Sequence, residues 1–222
     1  MSMIPVVGIF AHPDDESFFT GGTIATLAKE RDVYTICVTN GEAGENSSGK
    51  EGSLADIRKE ELLASGKILG IKKTYFLNYK DGKLSNSIYH EVAAKIKEIT
   101  DEIQPEILLT FEPHGISGHL DHIATSFITS YVFQNASYAK ELWYFCNNDD
   151  PINVQKEYFI YWPPGYAKED ISKTISVESV WEQKVFAMKQ HVSQTKDVNN
   201  ILAKYPPRPK EENFIILTKD TE

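Results

Sequence analysis

The chain of 222 residues carries a formal net charge of −9, with 41% apolar and 25% charged residues. That length suits one buried core, so a single domain over residues 1–222 is expected, and the composition excludes disordered and fibrous classes. An acidic balance without any Lys/Arg cluster argues against nucleic acid or an anionic membrane surface as a partner.

The opening MSMIPVVGIFAHPDDE lacks the basic n-region of a signal peptide and reads as a first strand, Val6 to Ala11. AHPDDE follows it, then a helix from Thr20 to Glu30. A strand from Val33 to Thr39 leads into NGEAGENSSG and a helix from Leu54 to Leu69. Next come a strand from Thr74 to Asn78 ending in YKDGK, a helix from Tyr89 to Ile103, and a strand from Ile107 to Phe111. EPHGISGHLDH then opens a helix from Leu120 to Gln134, and a strand from Leu142 to Cys146 closes the regular part. Asn147 to Ser176 is the least regular region. Apolar residues at helical spacing run from Val177 to about Lys204, where PPRP stops them, and Phe214 to Leu217 is a last strand.

Strands alternating with helices imply an α/β fold, a Rossmann-like, mainly parallel sheet with helices on both faces. In such sheets the functional crevice lies at the carboxyl ends of the strands. AHPDDE, NGEAGENSSG, YKDGK and EPHGISGHLDH all follow strands, so they converge on one edge. No apolar stretch approaches the roughly 18 residues of a membrane span. Cys37 and Cys146 lie inside apolar strand-like runs, which suits buried free thiols in a reducing cytoplasm.

His12 sits where the first strand ends, Pro13 fixes the turn, and Asp14 and Asp15 open the next helix, so His12 and Asp15 reach one point. His119 and His122 are three apart and share one helical face. Two imidazoles and a carboxylate, with a position left for water, form the ligand set of a catalytic zinc site. Fe(II) accepts the same set, so ligand type leaves the metal open, with zinc favoured. Taken alone, an Asp-Asp pair reads as helix capping and dipole stabilisation. Two His/Asp clusters after two strands on one sheet edge carry more weight than either.

AHPDDE, NGEAG, HGISGHLDH and the later KVFAMKQHVSQ together resemble the LmbE-like, or PIG-L type, N-acetylglucosaminyl deacetylases, from Pro5 to about Ile123 and again near the C-terminus. The resemblance implies zinc held by His12, Asp15 and His122, Asp14 as general base, and His119 stabilising the transition state. Leu120 stands where the family often has Pro. It also implies hydrolysis of an N-acetyl group on a small-molecule amino-sugar conjugate. Asp121 is expected to orient His119 and raise its pKa. Arg58 resembles a substrate-contacting Arg, against the alternative of a solvated helix face beside Lys59, Glu60 and Glu61. Glu42 in its Gly-flanked loop and Asp81 are candidate sugar contacts, each with a plain turn as the alternative. Glu112 and His114 lie near the site without a definite role, and His191 and Gln194 are candidates for structural support. Gly21 and Gly22 suit tight packing.

Oligomeric state stays open, a homo-oligomer included. The competing functions are an amidase acting on another amide, such as a thiol conjugate, a non-catalytic sugar-binding protein, and a nucleotide-binding module. No GxGxxG follows the first strand, which weakens the last.

Overall fold

VVGIF, Val6–Phe10, is buried along its whole length. A parallel strand covered on both faces needs such an unbroken apolar run, and this one takes the middle of the sheet as β1. The computed structural model describes residues 4–149, 160–205 and 208–219. The remaining strands are β2 (Val33–Thr39), β3 (Lys73–Tyr79), β4 (Ile107–Phe111), β5 (Glu141–Cys146), β6 (Lys173–Ser176) and β7 (Glu211–Thr218). Their order is β3-β2-β1-β4-β5-β7-β6. β1 to β5 pair in parallel, while β7 runs antiparallel to both β5 and β6.

The helices are α1 (Asp15–Leu27), α2 (Leu54–Leu69), α3 (Tyr89–Ile103), the single turn α4 (Gly115–Gly118), α5 (Leu120–Gln134), α6 (Trp181–Met188) and α7 (Thr195–Leu202). Side chains alternate across a strand, and β1 sorts them accordingly. Val6 and Phe10 join Ile24, Leu69 and Trp181 on one face, under α1, α2 and α6. Val7 and Ile9 join Val92, Ile96 and Ile128 on the other, under α3 and α5. The expected α/β architecture, mainly parallel with helices on both faces, is what forms.

β2 and β3 lie to one side of β1, β4 and β5 to the other. Connections therefore diverge at the carboxyl ends of β1 and β4, which opens the crevice where such sheets bind ligands. His12 to Asp15 follow β1, and Glu112 to His122 follow β4.

Three expectations differ from the structure. α1 begins at Asp15 and not at Thr20, because burial of Ser17, Thr20 and Thr23 outweighs their weak helix propensity. The helical run expected from Val177 to Lys204 is broken between α6 and α7. There His191 turns fully inward to meet Glu16 at 3.0 Å, and Ser193 gives two hydrogen bonds to the Glu61 carboxylate. β6 arises inside the irregular Asn147–Ser176 region as a short strand on the exposed side of β7. Part of that region, and Pro206 and Pro207 of the PPRP stop, fall outside the described residues.

Candidate metal centre

His12, at the end of β1, has its two ring nitrogens in different surroundings. Nε2 lies 3.1 Å from Asp81 Oδ1 and 3.4 Å from Asp121 Oδ2. Two carboxylates on that side place the ring proton there and leave Nδ1 with its lone pair. His122, in the first turn of α5, directs its Nδ1 to the Gly115 carbonyl at 3.0 Å, so its Nε2 is likewise the unprotonated nitrogen.

These two lone pairs face each other, His12 Nδ1 to His122 Nε2, at 3.1 Å. Asp15 adds its carboxylate, Oδ2 at 3.5 Å from His12 Nδ1 and Oδ1 at 3.4 Å from His122 Nε2. Three such groups converge on one point, and a bound cation would satisfy them there in place of a proton on His12 Nδ1. A tetrahedral zinc with bonds of about 2.0–2.1 Å separates its ligand atoms by about 3.3–3.4 Å, and the three observed separations bracket that value. The donor set therefore fits a zinc-sized ion. His119 also stacks on His122, with ring centroids 4.9 Å apart, and lies edge-on to His12 at 4.7 Å.

Charge leads to the same end. Asp14, Asp15, Asp81 and Asp121 are all less than 10% exposed, and Arg58 pairs with Asp14. Burial alone lowers the His12 pKa, yet the hydrogen bonds its ring donates to Asp121, Asp15 and Asp81 raise it well above the ordinary imidazole value. Burial works to raise Asp15 and Asp81, but His122 and His12 hold Asp15 well below the usual carboxylate range, and His12 brings Asp81 down to about 2. The cluster holds more negative charge than its own fixed cations balance.

Asp14 adopts φ 141°, ψ −26°, a backbone conformation L residues seldom take. Neighbours hold it there: its amide donates to Glu16 Oε2 at 3.1 Å, and Arg58 Nη2 bonds both Pro13 O and Asp14 Oδ2 at 2.8 Å. Its side chain makes no capping hydrogen bond to α1, so the capping reading of this residue does not hold. Burial pushes its carboxyl up to about 7 against the opposing pull of Arg58.

Arg58 is 4% exposed and also binds Gly41 O at 2.7 Å, which excludes the solvated-face alternative. Glu42 and Asp81 tie two loops together, since Asp81 N donates to Glu42 Oε2 and Ala43 N to Asp81 Oδ2, each at 3.2 Å. Asp81 is thus more than a turn residue. Asp121 accepts from the Gly82 and Leu84 amides at 2.6 and 3.2 Å.

Asp121 acts on His119 in the expected direction, yet it does not decide the pKa of that ring. Its charge does pull upward, but burial and the neighbouring His12 and His122 outweigh it, and His119 falls to about 4. His119 Nδ1 accepts from the Asp121 amide at 3.2 Å, so the neutral ring carries its proton on Nε2.

Several supporting residues went unassigned in the sequence. Glu16, 1% exposed, joins the Asp14 amide, Ser65 Oγ and His191 Nε2. Nothing local marks it, because an acid in a first helical turn already has an ordinary electrostatic reason to be there. Glu112 binds the His114 and Ile116 amides at 2.7 and 2.6 Å and receives the Tyr166 hydroxyl at 2.9 Å. It secures the turn that presents Gly115. At φ +68°, that glycine has no room for a Cβ, which would fall 2.9 Å from His122 Cβ.

A cavity of about 240 Å³ opens beside Asp14 and His122. Phe18, Phe19, Ile116 and Phe145 give it apolar walls near His122, and it continues to Trp162, Lys204, Tyr205 and Arg208.

A family model described as PIG-L, GlcNAc-PI de-N-acetylase, matches residues 7–133. A 1D-myo-inositol 2-acetamido-2-deoxy-alpha-D-glucopyranoside deacetylase from Mycobacteroides abscessus is 28% identical, with 84% of this chain and 80% of that protein covered. Among solved structures, an N,N'-diacetylchitobiose deacetylase from Pyrococcus horikoshii superposes with a TM-score of 0.72 at 23% identity, covering 97% of this chain and 84% of that one. A 4-carboxy-2-hydroxymuconate hydratase from Pseudomonas putida KT2440 superposes with a TM-score of 0.73 at 18% identity, covering 99% and 98%. The architecture is thus shared by different chemistries, and fold alone does not select one.

Proposed function

Because the chain belongs to the PIG-L family, we propose that it is a zinc-dependent hydrolase that removes the N-acetyl group from a small molecule containing N-acetylglucosamine. The observation that carries this reading is the convergence of His12 Nδ1, Asp15 and His122 Nε2 at 3.1–3.5 Å beside the buried Asp14. His12, Asp15 and His122 hold the metal; Fe(II) is the alternative ion. When bound, the metal supplies a water of lowered pKa and a Lewis acid for the amide carbonyl.

The remaining steps belong to the chain itself. Arg58 occupies Asp14 Oδ2 and fixes the carboxylate in the crevice, so Oδ1 takes the proton of the attacking water as general base. His119 donates from Nε2 to the oxygen on which negative charge develops, a donor aimed in advance by the bond at its Nδ1. Being neutral, His119 is a poor acid, so protonated Asp14 hands its proton to the departing amine. Asp81 and Asp121 hold His12 in the ring orientation that directs Nδ1 to the metal. Glu42 reaches the sugar site through the loop it closes on Asp81, and Arg58 acts there through Asp14. The two buried thiols, Cys37 and Cys146, suit a cytoplasmic setting.

Metal analysis of the purified protein, together with acetate release from a panel of N-acetylglucosamine derivatives, tests the proposal. Stoichiometric zinc and turnover of at least one derivative support it. Turnover confined to non-sugar amides would move the chain to the amidase alternative, and a metal-bearing protein inert on every amide would leave a binding role.

A further inference from the structure

Asp14 owes its position to the peptide planes on either side of it. The preceding plane is held at both ends, for Arg58 Nη2 binds Pro13 O at 2.8 Å and Glu16 Oε2 accepts the Asp14 amide proton at 3.1 Å. The following plane belongs to α1, since Asp14 O accepts from the Ser17 and Phe18 amides, each at 3.0 Å. Turning the Asp14 N–Cα bond away from φ 141° breaks one set of bonds or the other. A non-glycine residue stays in so sparsely populated a conformation only where its surroundings over-determine it.

Glu16 is itself held from two distant segments. Its Oε1 accepts from Ser65 Oγ of α2 at 2.6 Å and from His191 Nε2, in the turn between α6 and α7, at 3.0 Å. The His191 ring is fully buried and meets Phe18, a wall of the cavity, edge-on with centroids 5.9 Å apart. A glutamate that reaches back to an N-cap amide is a common helix cap, but a cap needs neither burial nor partners. Burying a third carboxylate beside Asp14 and Asp15 costs free energy, and His191 Nδ1, without a hydrogen-bond partner among the described residues, adds a desolvation cost of its own. An apolar pair would fill the same space without either cost. What the network secures is geometry.

Resting on the deacetylase reading, we propose that Glu16 and His191 are positioning residues for the hydrolysis. His191, 175 residues along the chain, fixes the Glu16 carboxylate, and Glu16 fixes the backbone that aims Asp14 at the attacking water. Arg58 thus holds the side chain of the base, while Glu16 and His191 hold its main chain. Neither of the two lines the cavity.

Steady-state kinetics on an N-acetylglucosamine derivative that the wild type turns over, with zinc content and Tm measured on the same samples, test this. Glu16→Met removes the acceptor of the Asp14 amide, and kcat should fall about 100-fold, the typical effect of displacing a reacting group by about 1 Å. KM and zinc content should stay near their wild-type values, because the lost interaction is with neither substrate nor metal. His191→Leu should lower kcat about tenfold, as loss of a supporting hydrogen bond does, and His191→Gln, whose amide N–H reaches the place of Nε2, should restore it. Those two variants carry the test if Glu16→Met does not fold. A purely structural role would instead lower Tm and leave kcat per bound zinc unchanged. Wild-type kcat in zinc-loaded Glu16→Met, or equal kcat in His191→Leu and His191→Gln, would overturn the assignment while leaving deacetylation intact. Crystal structures supply a readout that needs no turnover. In Glu16→Met the φ of Asp14 should return to negative values, and an unchanged Asp14 backbone refutes the brace. A protein inert on every amide whose Asp14 still relaxes in that variant would sink the deacetylase reading and leave the brace standing.

Discussion

Arg58 Nη2 stands 2.8 Å from Asp14 Oδ2 in an ion pair whose members are each less than 10% exposed. The pair separates two tasks that adjoin in sequence. Asp15 points between His12 and His122, whereas Asp14 is held apart from them by a guanidinium that also binds the Pro13 and Gly41 carbonyls.

Asp14→Asn should therefore lower kcat by about 10²–10⁴-fold while the protein keeps its metal, checked by plasma emission on the same sample. Near-normal turnover in that variant would remove Asp14 from the role of base. Arg58→Met should also lower kcat with metal retained, and should cost about 3–5 kcal/mol of stability, since it leaves a buried carboxylate without its partner.

His122→Ala should abolish metal binding. Gly115→Ala is the subtler test, because its new Cβ collides with His122 Cβ and sits at φ +68°. Displacing the carbonyl that orients the ring should weaken metal affinity about 10–100-fold, measured by competition with a chelator. Unchanged affinity would show that Gly115 is needed only for the turn. Dialysis against a chelator should lower Tm as well as activity, and added zinc should restore both.

Lys184 and Glu212 form an ion pair with each residue 2% exposed, and Glu212 ties β7 to the Gly22 and Thr23 amides of α1. Glu212→Leu should cost about 3–5 kcal/mol in denaturant titration by stranding Lys184. The double variant Lys184→Met, Glu212→Leu should recover part of that loss, a coupling that additive effects would not produce.

The two cysteines should be inert in the native protein. Burial pushes the Cys146 thiol up to about 12 and raises Cys37 well above its usual value. Raising a thiol pKa reduces the reactive thiolate, so at pH 8 Cys146 is ionised in only about one molecule in ten thousand. Iodoacetamide at that pH should label neither thiol in the folded protein and both in denaturant, as counted by mass spectrometry. Native labelling would contradict the burial of both strands.

Six of the seven strands and the helices Leu54–Leu69, Tyr89–Ile103 and Leu120–Gln134 were readable in the sequence, because apolar periodicity records which face of an element is buried. The break at His191 was not. Its partner Glu16 lies 175 residues away, and a hydrogen bond between distant residues leaves no periodic trace. α1 was placed too late for a related reason, since its polar residues are buried by contacts that propensity does not register.

By itself the sequence determined that His12, Asp15 and His122 follow strand ends on one sheet edge, since strand assignment and chain order are enough to place them there. Only the tertiary structure decided which ring nitrogens of His12 and His122 face each other, for Asp81, Asp121 and the Gly115 carbonyl take the opposite ring positions. It also decided that Arg58 clamps Asp14 and that His119 is neutral. Each of these depends on distances between segments far apart in the chain, and on burial that magnifies the charges they bring together.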